Sequence, residues 1–470
     1  MNFISPRPAL ALSAVLAVSL CQAALADAPE SRAVARQVED AALKDDWGYR
    51  FVEGLTTEIG QRLAGTDAQV RAAAWAADRL EAAGFTNVHQ EPFPMTGWVR
   101  GTETARIVSP GSQSLVITTL GGSVATPEHG IEAEIALFRT YAELLAAPPG
   151  SLTGRIAVVT ERMARTQNGS GYGAAYPIRG EGPSEAAKRG AVAYLLRSIG
   201  TDETRRAHTG TLGYMDGVPR IPAAALSAPD AEQLERLAAL GPVRIRLELT
   251  PRSSPTAQSS NLVAEIPGSE PQGQIVLIGA HLDSWDLATG AIDDGAGDAI
   301  VAGAARLIGA LPRHPRRTIR VVLFGAEERG FSGKAYDDAH AKDADRIALA
   351  AEADFGARHA YSIMLPAGAS KTEFALSLAA VEAPLSVFID DEPLKHAGAD
   401  VDGLGPLGVP LIAIRQDGTD YFDYHHTADD TFDKIDPAEL AQATAAWAGM
   451  VYLAADLDVD FRSLAAAPPK

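Results

Sequence analysis

The residues best suited to chemistry fall in five short runs: His281-Leu282-Asp283, Asp293-Asp294-Gly295, Glu327-Glu328, Glu352-Ala353-Asp354 and His425-His426. On extended backbone alternate side chains share a face, so His281 and Asp283 can point together, one binding a cation and one orienting it. Asp293 and Asp294 follow twelve residues after His281, on a tight turn at the start of a helical run. Each run alone is ordinary solvated sequence. Gathered in one place, with no Lys or Arg at the key positions, these carboxylates would repel one another unless cations lay between them. Nitrogen and oxygen donors without thiolate suit zinc, with cobalt or manganese as substitutes. As ligands, Asp293, Glu328 and Asp354 carry three negative charges, while neutral His281 and His426 carry none. Glu327 adds a fourth, which two divalent ions balance and one does not.

The elements that must position these runs are legible beside them. In an open α/β sheet, sites form beyond the carboxyl ends of the strands. The apolar stretch Gln274–Gly279 leads to His281, Thr318–Gly325 leads to Glu327, and Ala348–Ala353 leads to Asp354. Pro410–Ile414 reads as a fourth strand, followed by the loop that carries His425. Ala299–Leu311 reads as a helix. Asp436 is a good N-cap, with Pro437 and Glu439 behind it, for a closing helix to about Leu453. Continuous apolar strands with crossover helices predict an α/β fold, its central sheet mostly parallel and covered by helices on both faces.

The remainder divides by texture. Residues 30–85 are Ala-rich with helical spacing, and Thr86–Phe93 alternates like a strand. Residues 120–250 hold short β-like runs, among them Ile156–Val159 and Val192–Leu196, and a flexible loop from Asn168 to Gly173. They read as a β-rich insert between an N-terminal part, 27–119, and the main part, 251–470. Pro251–Ser260 reads as a linker. Gly403–Gly408 fits a dinucleotide-binding glycine pattern, but no strand precedes it. His208 and His396 follow no strand-end pattern, and most of the scattered histidines read as surface residues.

Composition limits the partners. The chain has 470 residues, 46% hydrophobic and 21% charged, as in soluble globular proteins of two or three domains. A net charge of −19 argues against nucleic acid. The one cysteine, Cys21, excludes a disulfide framework and a cysteine-rich zinc site. Residues 1–26 read as a signal peptide: Arg7, an apolar run from Ala9 to Leu20, and Ala24-Leu25-Ala26 before Asp27. That run is shorter than the roughly 20 residues a span needs. The expectation is a secreted or periplasmic protein with no membrane attachment after cleavage.

Taken together, HLDSWD, AIDDGAG, GAEERG, EAD and HHTADDT resemble the di-zinc exopeptidases of clan MH, and within them the carboxypeptidase Q group. The resemblance extends to EIGQRLAG at 58–65, GWVRG at 97–101 and SNLVAEIPG at 260–268, and covers nearly all of the mature chain. It implies a zinc exopeptidase fold with a protease-associated domain in the 120–250 region. It also implies two zinc ions held by His281, Asp293, Glu328, Asp354 and His426, with Asp293 between them. His426 is taken over His425 because the family motif is H-[ST]-x-x-D-T. Glu327 would be the general base and Asp283 would orient His281. Which ligands share a zinc stays open, as do two other readings, a non-catalytic binding protein and a one-zinc cyclase on the same fold. The implied substrates are dipeptides and short peptides, and a homodimer is compatible. The surplus acidic groups Asp283, Asp294, Glu352 and Asp430 favour a free amino end, whereas the family name points to the carboxyl end.

Overall fold

The computed structural model describes residues 28–270, 273–366, 368–392 and 394–465, so residues 1–26, expected as a signal peptide, and Cys21 lie outside the described residues. The strands run in chain order as β1 (Thr86–Val99), β2 (Glu103–Ser109), β3 (Gln113–Leu115), β4 (Ile117–Thr119), β5 (Ile131–Phe138), β6 (Ile156–Val159), β7 (Ala193–Arg197) and β8 (Ala223–Leu226). They continue as β9 (Arg244–Leu249), β10 (Arg252–Ile266), β11 (Ile275–His281), β12 (Thr318–Phe324), β13 (Ile347–Glu352), β14 (Ala360–Met364), β15 (Phe388–Asp390) and β16 (Ala413–Gln416).

The central sheet has the order β1-β10-β12-β11-β13. Strands β11, β12 and β13 are parallel, as strand–helix alternation requires. The sheet as a whole is mixed, because β10 runs antiparallel to both β12 and β1. Along β11 the pleat sends Val276, Ile278 and Ala280 into one core and Leu277 into another. The first core packs the helices Ala296–Gly309 and Pro437–Asp456; the second packs Tyr336, Val401 and Leu404. Both faces are therefore covered. Asp436 caps its helix as expected, accepting from the Ala438 and Glu439 N–H groups at 2.8 and 3.2 Å.

Two expectations need correction. Pro251–Ser260 is no linker: Arg252–Ser260 is the first part of β10, paired with Pro92–Val99. It reads as a linker because most of this ribbon is exposed and carries polar residues. Nor does the fourth apolar run join the central sheet. It forms β16, antiparallel to β14 in a separate sheet ordered β15-β14-β16, and only a bridge from Leu411 to Ala350 ties it to β13.

Residues 103–249 build an eight-stranded sheet, ordered β3-β2-β9-β5-β6-β7-β8-β4, with a core of its own. It takes in β2–β4, ahead of residue 120, and carries helices as well as strands, including Ser170–Gly180 and Ala228–Ala238. The stretch expected as a loop at Asn168–Gly173 enters the first of these at Ser170. No described helix is long and apolar enough to cross a membrane.

Far from the strand ends, Glu39 and Glu382 meet over Gly449, where a β-carbon would stand 2.5 Å from Glu39 Oε1 and 3.0 Å from Glu382 Oε1. Burial pushes the Glu39 carboxyl up from 4.5 to about 8, only partly offset by Arg36. The folded protein thus keeps a proton that the unfolded chain releases, and this group's contribution to stability falls as pH rises from about 4.5 to about 8. Glu39→Gln should melt higher than wild type at pH 8, by about 1 °C for each kcal/mol recovered in a chain of this length. The gap should shrink at pH 5 in parallel calorimetric scans.

Candidate metal centre

The parallel strands deliver the expected residues to one place. His281 ends β11, Glu327 and Glu328 sit on the turn after β12, and Asp354 lies two residues past β13. His281 Nδ1 donates to the Asp283 carbonyl at 2.9 Å, which leaves Nε2 facing Asp293 Oδ1 at 3.1 Å and Asp354 Oδ1 at 3.5 Å. The other oxygen of Asp293 is 3.2 Å from His426 Nε2, which is itself 3.0 Å from Glu328 Oε2. Asp293 is thus the shared member of two groups, one with His281 and Asp354 and one with His426 and Glu328. The Asp283 carboxylate lies 3.6 Å from His281 Nδ1 and accepts the Glu327 N–H at 2.9 Å, so it also anchors the glutamate turn.

His426 stands at φ 61°, in the left-handed region that a residue with a β-carbon seldom adopts. Its ring stacks on His425 with centroids 3.5 Å apart. His425 Nε2 is farther from Asp293, at 3.8 Å, and its Nδ1 has no protein partner. Asp294 lies within reach of His281 and Asp354, but each of its oxygens already accepts a backbone N–H, from His281 and from Gly297.

The electrostatics call for cations. Burial, then neighbouring carboxylates, drive Glu327 and Glu328 far above the ordinary carboxylate range. Burial raises Asp354 too, against the pull of His281. Burial opposes charge on Asp293, but the three surrounding imidazoles hold it low. Burial lowers His425 to about 3 and, with His425 beside it, lowers His426 as well. Against burial, Asp354, Asp283 and Asp293 push the His281 imidazole well above its ordinary range, as a cation at that place would be held. Neutral His425 and His426, crowded carboxylates, and Glu328 Oε1 buried and unpartnered are donors that a divalent metal takes.

Sequence reasoning missed several contributors. Arg62, fully buried, donates to the carbonyls of Gly60, Leu282, Thr289 and Gly290, tying the end of β11 to the turn before Asp293. It lay within the EIGQRLAG motif, but a lone Arg carries no signal of burial. Asp430, expected as a surplus acidic group near the ions, instead accepts the Ala291 and Ile292 N–H groups at 2.8 and 2.7 Å and holds the same turn. His208 is no surface residue: it is 1% exposed, bonded to Asp202 Oδ1 and to the His425 carbonyl, both at 2.8 Å. His396 is exposed, as expected.

A cavity of about 430 Å³ opens on the centre, lined by Asp293, Glu327, Glu328, Asp354, His425 and His426 and closed by an aromatic wall that includes Phe355 and Tyr421. The eight-stranded lobe supplies Tyr172, Tyr176, Arg179 and Thr211 to it. None of the acidic groups Asp283, Asp294, Glu352 and Asp430 lines this cavity. Each spends carboxylate oxygen on backbone N–H groups, Glu352 on those of Asp400 and Val401. The preference for a free amino end therefore cannot be drawn from those four residues.

A sequence model of peptidase family M28 matches residues 261–451. Carboxypeptidase Q of Bos taurus is 36% identical over 416 residues, covering 87% of this chain and 85% of that protein. The crystal structure of a peptidase M28 precursor from Shewanella amazonensis SB2B matches with a TM-score of 0.90 and 44% identity, over 94% of this chain and 100% of that one. A zinc aminopeptidase from Bacillus subtilis shares the fold, with a TM-score of 0.63 at 19% identity over 88% of this chain and 96% of that one. Whole-chain similarity and the strand-end motifs agree, and the chain belongs to peptidase family M28.

Proposed function

We propose that the protein is an exported two-zinc exopeptidase that cleaves dipeptides and short peptides. The observation that carries this reading is the shared position of Asp293 between the His281–Asp354 and His426–Glu328 pairs, with Glu327 lining the same cavity. In this reading His281 and Asp354 hold one ion, His426 and Glu328 hold the other, and Asp293 serves both. When bound, the zinc ions supply Lewis acidity toward the scissile carbonyl and bring a water molecule within reach of ionisation near neutral pH. Glu327 takes the attacking water's proton and returns it to the leaving amine. Its turn is held by the bond from its own N–H to Asp283, so the base keeps its place while Glu328 serves as ligand. With two ions balancing the charge of Asp293, Glu327, Glu328 and Asp354, the preference for a free α-amine rests on hydrogen bonds to the carboxylate oxygens that line the cavity, not on a net negative charge.

The test of the amino-end preference uses the zinc-loaded protein and one dipeptide in free and N-acetylated forms. The free form should show kcat/KM at least about tenfold higher, the scale of one lost charge-assisted interaction. If acetylation changes nothing while amidation of the carboxyl end abolishes cleavage, the enzyme is a strict carboxypeptidase. If metal-loaded protein turns over no peptide, the non-catalytic reading on the same fold takes its place.

A further inference from the structure

The eight-stranded lobe does more than stand beside the cleft. Its helix Ser170–Gly180 brings Tyr172, Tyr176 and Arg179 to the cavity whose carboxylates come from the other lobe. Among the described residues lining that cavity, Arg179 is the only lysine or arginine. It is 4% exposed and held on three sides. Nε donates to the Thr211 carbonyl at 3.2 Å, Nη1 to the Thr209 carbonyl at 3.3 Å, and Nη2 to the Tyr172 hydroxyl oxygen at 2.5 Å. A guanidinium has five N–H groups, so these bonds leave two over. Because Tyr172 accepts from Arg179, its own hydroxyl proton is free to be donated. Its ring is fixed by stacking on Phe422, with centroids 4.9 Å apart, and by its edge contact with His425 at 5.0 Å.

The same two threonines tie this cation to the metal centre. The Thr209 N–H donates to the His426 carbonyl at 2.9 Å, and Thr211 Oγ1 donates to the Glu328 carbonyl at 2.7 Å. Arg179 is therefore set at a fixed separation from two of the candidate ligands, through one residue each. A planar cation with spare donors, beside a phenol with a spare proton, is built for a carboxylate. The cavity, about 430 Å³, lies at the small end of the roughly 300–1,000 Å³ usual for ligand sites.

We propose that Arg179, with the Tyr172 hydroxyl that it orients, binds the free C-terminal carboxylate of a short peptide, so that the inserted lobe is the element that selects substrate length. The proposal rests on the peptidase reading. A dipeptide then satisfies both walls of the cavity, its amine beside the carboxylates and its carboxylate at Arg179, while a longer peptide places its terminal charge out of register.

The experiment compares alanyl-leucine with alanyl-leucinamide on the zinc-loaded full chain. Wild type should prefer the acid by roughly 10- to 100-fold in kcat/KM, mostly through KM. Tyr172→Phe keeps the stacked ring and should lower that preference several-fold. Arg179→Met should remove most of it, and Arg179→Lys should restore part. Binding of both ligands to zinc-loaded Glu327→Gln protein, by calorimetry, should show the same preference, reduced several-fold in Glu327→Gln/Tyr172→Phe and mostly lost in Glu327→Gln/Arg179→Met. Equal cleavage of acid and amide by wild type overturns the proposal. So does an unchanged preference in the variants with both rates falling together, which is what an anchor for the Thr209–Thr211 segment would give. If wild type cleaves neither form, the peptidase reading fails, and the binding arm still decides whether the carboxylate is read.

Discussion

Glu327→Gln should lower kcat by roughly 10²–10⁴-fold, with melting temperature and metal content at wild-type values. Glutamine keeps the size and the backbone bond to Asp283 but cannot take a proton from water. Its side chain is not among those pressed against His281 or His426, so no donor to a metal is lost. Glu328→Gln should behave in the opposite way. Glu328 Oε2 lies 3.0 Å from His426 Nε2, and its other oxygen is buried and unpartnered. Losing that charge should weaken metal binding first, with activity recovering in excess metal. Metal analysis and kinetics on the two adjacent variants separate the roles, and the reverse pattern would exchange base and ligand.

The second large effect is expected at Asp293. Its two oxygens face His281 on one side and His426 on the other, so Asp293→Asn changes both groups at once. Loss of a supporting residue behind a ligand typically costs 10–100-fold in metal affinity. A shared ligand should exceed that, and the variant should lose both ions on dialysis and with them its turnover. Asp294→Asn offers the contrast, because Asp294 spends its carboxylate on backbone N–H groups. That change should cost stability more than metal. Equal metal retention by the two variants would remove Asp293 from its shared position.

The sequence made the metal centre legible for a physical reason. Each of His281, Glu327, Glu328 and Asp354 follows directly on a continuous apolar run, and parallel strands bring such ends together. The wall opposite them was not legible. Tyr172 lies in the glycine-rich stretch 168–173 that reads as a loop, with Arg179 six residues beyond it, and long-range contacts such as that from Arg165 to Asp423 bring this segment to the cleft. The polar half of β10 reads as a linker because an exposed ribbon needs no apolar alternation. His208 and Arg62 are buried by partners distant in sequence, and nothing in their own neighbourhoods announces it.

The central claim is that two ions share Asp293, and zinc stoichiometry measured against activity tests it most directly. Protein lacking residues 1–26, stripped with a chelator, would be titrated with zinc while elemental content and dipeptide hydrolysis are followed on the same samples. Full activity should return only as bound zinc approaches two per chain, and cobalt should substitute. Full activity at one tightly held zinc per chain, with no second ion taken up, would contradict the account.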